Sequence, residues 1–413
     1  MSDLSAIAPR IAAERRLVGS QPTATRHYAL VDLDARLAPL PASRLTIYRS
    51  FAECETAWRA AMATTAWYAF QSFDWLAVWQ QTIGAAEGVE PYLVRLEDAA
   101  GKTVLILPLG IYREGWRRVL RFLGGVVTDY NAPLIDPDFA ARIAPADMAR
   151  LWTAIVGLLP NVDLAWLPRM PEAIEGVRNP MAALPGAAHT EDGHAAALPD
   201  TMAAFRKARS TRMFTDTRRR RRRLAEVGPV EYRSPAPESA EAAAIWPILA
   251  RQKSRRWVET KCRDLFAEPP YVAFYRRLSE AGMQGGRVHV SCLKAGDTVV
   301  AAHWGIVCQG RFYFLIVGRE AGDWDFYSPG RLLIEDLIEQ SIAAPDIGIF
   351  DFTGGDEGFK LDWSDRTLPL YEYLAPCSLK GAAFIAVHRL RQRLKQNSRL
   401  RNWVRRLKGK APK

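Results

Sequence analysis

Three groups of residues in the second half of this 413-residue chain have the types and spacing to do chemistry. The first is Tyr327-Ser328-Pro329-Gly330, set between the strand-like Arg311–Val317 and the helix-like Arg331–Ala343. A helix start leaves backbone N–H groups unpaired and carries the positive end of the helix dipole. With Gly330 permitting close approach, this is either a cradle for a pyrophosphate or an ordinary helix start. The second is His303, within Ala301-Ala302-His303-Trp304-Gly305. It is a candidate for taking a proton from an attacking amine or hydroxyl, or a core histidine bonded to backbone. If Gly296-Asp297 is a two-residue turn, His303 falls opposite Val290 and His289 opposite Trp304. The two histidines then sit on opposite faces of the sheet, which excludes a metal pair. The third is Asp351, on the apolar strand Ile347–Phe352, either a paired structural acid or a substrate contact.

Other residues are less specific. Lys360 suits a phosphate or an anionic acceptor, or a solvated surface. Trp304, Trp324 and Trp363 suit a sugar-facing platform or a packed core. The run Arg218–Arg223 places like charges at i,i+4, which costs helix stability unless an anion lies near. It is either a solvated face or a contact for a phosphate-bearing or acidic group. From Leu379 to Lys413 there are 12 Lys or Arg and no acid. Val387, Leu390, Leu394, Leu400, Trp403, Val404 and Leu407 recur there at helical spacing. That pattern fits an anionic membrane surface, with RNA as the competing polyanion.

The elements that must position these residues read as a repeat. A strand (Arg44–Ser50), two helical segments (Ala52–Thr64, Ser72–Ile83), three strands (Pro91–Leu96, Lys102–Tyr112, Val119–Val127), a helix (Ala146–Leu159) and a strand (Val162–Leu167) come first. The same order returns from Val230, through a helix over Ala240–Trp257 that is continuous or broken near Pro247, to a last strand near Leu368–Leu374. The bulk numbers agree with two ordinary domains: 49% apolar and 24% charged residues, and no apolar run of membrane-spanning length. No secretory signal is legible at the start, and five cysteines without CxxC spacing read as free thiols. The net charge of +11 belongs to the tail, because without it 44 basic residues face 45 acidic ones. HExxH, Walker, GxSxG and GxGxxG patterns are missing, so the corresponding hydrolase, NTPase and dehydrogenase classes lack sequence support.

Several of these motifs together resemble the GNAT superfamily of N-acyltransferases. They are Tyr327-Ser328-Pro329-Gly330, Phe350-Asp351-Phe352-Thr353-Gly354-Gly355 and Phe359-Lys360 with Trp363. In the first copy they are Phe70-Gln71-Ser72-Phe73-Asp74-Trp75 and Asp129-Tyr130-Asn131-Ala132-Pro133. The closer likeness is to double-GNAT, CelD-type acetyltransferases of cellulose biosynthesis, related to the Fem-type aminoacyltransferases. One departure is Phe359, where many relatives carry a tyrosine able to protonate a leaving thiolate.

The resemblance implies an α/β (α+β) fold of two tandem GNAT-like domains, each a mixed, largely antiparallel sheet flanked by helices. The expected plan is an N-terminal arm (1–43), a first domain shaping the acceptor cleft (44–198) and a basic helical connector (199–227). An acyl-CoA-binding second domain (228–376) and a basic tail (377–413) follow. It implies acetyl-CoA or another acyl-CoA as co-substrate, no metal, and a saccharide or cell-envelope acceptor. Donor contacts would be Leu315, Ile316, Val317, Arg319, Ser328, Gly330 and Arg331. Acceptor contacts would be Trp304, Trp324, Tyr327, Lys360, Asp129, Tyr130 and Asn131, with His303 and Asp351 catalytic. The expected setting is cytoplasmic, or peripheral at the inner membrane face. The alternatives are Fem-like transfer from aminoacyl-tRNA and a non-catalytic membrane scaffold.

Overall fold

The computed structural model describes residues 24–396, with side chains to residue 387. The first half runs β1 (Arg26–Ala29), α1 (Leu30–Leu33), β2 (Arg44–Tyr48), α2 (Phe51–Met62), α3 (Phe73–Trp79), β3 (Glu90–Glu97), β4 (Thr103–Glu114), β5 (Arg117–Phe122), β6 (Leu134–Ile135), α4 (Pro137–Arg142), α5 (Pro145–Leu158) and β7 (Leu164–Pro171). A small hairpin, β8 (Ala173–Ile174) with β9 (Val177–Arg178), leads to β10 (Ala188–Ala197). Two helices follow, α6 (Met202–Lys207) and α7 (Thr211–Ala225). The second half is β11 (Val230–Arg233), α8 (Ala240–Glu259), α9 (Pro269–Ala281), β12 (Gly286–Ala295), β13 (Thr298–Cys308), β14 (Arg311–Arg319), α10 (Pro329–Ala343), β15 (Ile349–Gly354), α11 (Gly358–Trp363) and β16 (Arg366–Pro376), ending in α12 (Leu379–Gln396). The repeated order strand, two helices, three strands, helix, strand is present in both halves.

Both halves share one sheet of order β1-β2-β3-β4-β5-β7-β16-β10-β15-β14-β13-β12-β11, mostly antiparallel, with β6 added to β4. The halves exchange their last strands. β16, the final strand of the second half, pairs with β7 of the first. β10 leaves the first half and inserts between β15 and β16. Aromatic packing welds the two: Trp75 meets Phe274 at 4.9 Å edge-on, and Phe70 meets Tyr313 at 5.4 Å.

Several expectations need correcting. The stretch expected as an N-terminal arm contributes β1, which pairs with β2 over four residues. Of the two readings left open for α8, the continuous one holds, with Pro247 inside the helix. The strand expected over Val119–Val127 stops at Phe122, and Gly125–Val127 is a 3-10 turn. β10 was not foreseen, because Ala-His-Thr-Glu-Asp-Gly has little intrinsic strand preference and is held by neighbours on both sides. The histidines were placed on the wrong faces. A bulge between Leu293 and Lys294 leaves Val300 as an extra residue, so His303 pairs with Ser291 and His289 with Gly305. A one-residue slip moves side chains to the other face, and the two rings lie 5.9 Å apart on the same side.

Candidate functional site

The second half opens where its strands should close. β14 and β15 run parallel and pair only at Arg311–Ile349, Phe312–Phe350 and Tyr313–Asp351. Beyond Tyr313 the strands part. A bulge in β14 contributes to this, because Gly305 pairs with Phe314 and Trp304 with Ile316, leaving Leu315 extra. Bulges bend a strand and increase its twist. On β15, Thr353 adopts φ 62, a left-handed conformation rarely taken by a β-branched residue. From Leu315 onward β14 therefore presents an edge of backbone donors and acceptors that β15 does not use.

The tip of α10 stands at this opening. Ser328 is left-handed (φ 50, ψ 56), so it cannot take the extended geometry of an N-cap, and no side chain caps the helix. Pro329 occupies the first turn, and a Cβ built on Gly330 would meet only Arg319 Cδ at 3.7 Å. Arg331 N–H bonds Ser328 O at 3.0 Å and Pro329 has no N–H, so the donor left at the tip is Gly330 N–H, with room before it. Guanidinia gather around the tip. Arg319 pairs with Asp325, and Arg331 lies 3.5 Å from Asp216 and 3.8 Å from Asp362. Burial, and then the charges of Arg256 and Arg255, hold Arg319 below the ordinary arginine value. Like charges collected at a helix N-terminus are relieved by a bound anion.

Deeper in the cleft is a polar group drawn from both halves. Asp129 is paired with Arg169 at 3.2 Å, Glu357 with Lys360 at 2.8 Å, and Asp356 with His194 at 3.2 Å. Glu191, on β10, is half-buried and has no ion-pair partner among the described residues. Burial pushes its carboxyl upward, and Asp129 and Asp356 add to the push against Arg169 and Lys360. Lys253, on α8, sits with its ammonium 5.2 Å from the Trp257 ring centre. Burial lowers its pKa and Arg256 reinforces this, while Glu357 and Asp129 oppose it. α8 is held close here because Gly318 has no side chain. A Cβ there would come within 2.8 Å of Gln252 Cβ.

The expected site residues divide between cleft and core. Ser328, Gly330, Arg331, Arg319, Leu315 and Val317 border the opening, whereas Ile316 packs in the core. Tyr327 and Trp324 are half-buried, 6.1 Å apart, on the turn before Ser328. Asp129 faces the cleft. Tyr130 is sealed with its hydroxyl on Asp351 Oδ1 (2.8 Å), and Asn131 Nδ2 donates to Pro168 O at 2.8 Å. Lys360 is buried, its ammonium donating to Gly354 O at 2.5 Å, so it clips the loop after β15. Trp304 is enclosed with its indole N–H on Ser279 Oγ.

His303 is fully enclosed, its ring stacked on Phe314 at 4.9 Å, and neither ring nitrogen reaches a partner. Burial keeps it neutral. Asp351 is the paired structural acid. Arg311 Nη1 meets it at 2.8 Å and Thr353 N–H at 2.7 Å, while Arg311 also holds Glu175 of the first half at 2.9 Å. Neither His303 nor Asp351 presents an atom to the cleft. The sequence reading missed Glu191 and Lys253. Glu191 lies on the unforeseen strand, and one lysine of a long helix carries no local signal.

The first half has the same opening, but its own chain fills it. β5 and β7 pair only at Val119–Leu164 and Leu120–Ala165. Asn131 N–H then bonds Arg169 O at 2.9 Å, and Arg169 Nη2 bonds Gly125 O at 3.0 Å.

Among the described residues no cluster of three or more His, Cys, Asp or Glu could hold a metal. No curated protein matches the chain. Among solved structures, FemX shares the fold, with 10% identity, a TM-score of 0.52 and coverage of 78% of this chain and 96% of its own. A conserved protein of unknown function from Bacteroides thetaiotaomicron VPI-5482 aligns at 11% identity and TM-score 0.49, covering 80% of this chain and 98% of that one. A tandem GNAT protein from the clavulanic acid biosynthesis pathway aligns at 13% identity and TM-score 0.43, covering 86% and 99%. Residues 186–361, the stretch holding the parted strands and the bare helix tip, match the family model described as an acetyltransferase (GNAT) domain.

Proposed function

We propose that the protein transfers an acyl group from a pantetheine thioester, acyl-CoA in type, to an amine or hydroxyl of a saccharide or cell-envelope precursor. The carrying observation is the parting of β14 from β15 with the uncapped tip of α10 at the gap. An amide-bearing pantetheine arm would complete the unused edge of β14 as a strand does, and its phosphates would lie on the Ser328–Arg331 tip near Arg319. The acceptor would enter from the side of Asp129 and Glu191.

In this reading an acceptor amine attacks the thioester carbon directly. The C–N bond forms, the C–S bond breaks with the carrier leaving as its thiolate, which takes a proton from solvent, and Glu191 receives the proton that the attacking nitrogen gives up. A raised carboxylate pKa suits that task near neutrality. Glu191, the cleft carboxylate without an ion-pair partner among the described residues, favours a cationic acceptor, hence an amine over a hydroxyl. Lys253 would hold an anionic group of the acceptor.

Isothermal titration with CoA tests the donor site. We expect saturable binding that Gly330→Trp abolishes, and the open space at Gly330 lets that variant fold. Absence of CoA binding, or binding indifferent to Gly330→Trp, contradicts the reading.

A further inference from the structure

The arginine run does more than flank the cradle. α7 begins at Ser210, whose hydroxyl accepts from Met213 N–H, and buries Met213, Phe214, Thr217 and Leu224 against the protein. Arg220 and Arg221 turn inward, to Phe326 O (2.5 Å) and to Asp336 (2.7 Å). The outer face is left with Arg212, Arg218, Arg219, Arg222 and the half-exposed Arg223. These span about 16 Å of helix at 1.5 Å per residue. Asp216 lies at the strip's edge and engages Arg219, Arg220 and Arg331. Beside the strip are exposed apolar side chains: Phe326 (57%), capped by Arg223 at 5.0 Å, Leu361 (61%) and Val227 (52%). Phe326 is two residues before Ser328. The strip therefore ends at the mouth of the donor site.

We propose that this face docks an acidic carrier protein that presents the acyl group on a phosphopantetheine arm. The proposal rests on the acyl-transfer reading and names the donor's form. Arg319, Arg331, Arg255 and Arg256 already surround the helix tip, so the strip is surplus to what one small diphosphate needs. A basic rim around exposed Phe and Leu is the composition of a protein interface, where arginine and aromatic residues anchor. An acidic helix laid along the strip would bring its arm to the tip of α10. A bilayer is disfavoured because the apolar face of α7 is already buried in the core, whereas interfacial helices insert theirs. A nucleic acid has phosphates for the arginines but no use for exposed Leu361 and Val227.

The test is calorimetry on the full chain with an acidic bacterial acyl carrier protein in apo and phosphopantetheine-loaded forms, with CoA, bulk tRNA and phosphatidylglycerol vesicles as comparators. We expect the loaded carrier to bind more tightly than the apo form and than CoA. Arg219→Glu with Arg223→Glu should weaken carrier binding about tenfold or more and leave CoA binding unchanged. Arg212→Glu with Arg222→Glu provides a second reversal should the first lower the melting temperature. Carrier binding that is undetectable or blind to both reversals overturns the proposal, as does preferential, reversal-sensitive binding of tRNA or vesicles. In those cases CoA binding that remains sensitive to Gly330→Trp leaves the acyl-transfer reading standing, and loss of CoA binding as well removes both.

Discussion

Asp129, Asp356 and Glu357 each meet a basic group in the cleft, whereas Glu191 meets none among the described residues. An unpaired, half-buried carboxylate has its anion disfavoured, so its base form emerges only above the ordinary glutamate range. The rate of transfer to an amino-sugar acceptor should therefore rise with pH through that raised value. Glu191→Gln should lower kcat/KM roughly 10²–10³-fold and flatten that limb, as loss of a general base does. An unchanged profile would remove Glu191 from the chemistry. Arg311 has a different task. It is buried between Asp351 of its own half and Glu175 of the other, and those partners keep it charged despite its burial. Arg311→Met would strand Asp351 without its cation and should cost about 3–5 kcal/mol in denaturant unfolding. The double variant with Asp351→Asn should recover part of this. The sequence named Asp351 because it sits in a motif, but its side-chain partners Arg311 and Tyr130 lie on other segments far along the chain, which spacing does not reveal.

The helix–strand contact at Gly318 sets the site at the level of elements. Gly318→Val would force Gln252, 2.8 Å from the new Cβ, and with it α8 away from β14. The expected cost is about 1–3 kcal/mol, accompanied by weaker CoA binding because Lys253, Arg255 and Arg256 ride on the same helix. The β12–β13 register makes a second prediction. The bulge at Val300 brings His289 and His303 to one buried face, where burial holds His289 down at about 4. A histidine whose folded pKa lies below its unfolded value binds fewer protons when native, so stability is full above about 6.5 and falls as pH drops toward 4. The loss should be on the order of 2–3 kcal/mol for His289 and should shrink in His289→Gln, as read from melting temperature against pH. The order of elements was legible from hydrophobic period and turn residues. Registers were not, since a single extra residue in a strand leaves no mark on the pattern. β10 was invisible for a related reason: what makes it a strand is its two neighbours.

At the scale of the molecule, the strand exchange explains why one chain holds both halves. β7 needs β16, and β15 needs β10, so each half completes its sheet with the other's strand. A fragment of residues 24–198 should fail to give a cooperative thermal transition, while the full chain should unfold in one step. A well-folded fragment would argue against interdependence. The exchange also carries Glu191 from the first half's end into the second half's cleft, beside Asp129. The start of α12 is docked, with Ile385 against Val119 and Leu164; of the apolar stripe expected from Val387 to Leu407, Val387 is exposed, and Leu400, Trp403, Val404 and Leu407 lie outside the described residues. No helix among the described residues is long and apolar enough to cross a membrane.

The central claim is that the gap between β14 and β15 receives a pantetheine arm whose phosphates meet the bare tip of α10. A crystal of the full chain soaked with acetyl-CoA addresses it directly. The account predicts continuous density running from the unused edge at Leu315–Val317 to phosphates beside Gly330 and Arg331, with the thioester turned toward Glu191. Density for the cofactor elsewhere would contradict it, for instance in the cavity of about 220 Å³ lined by Ser234, His289 and Gln340 at the far end of α10.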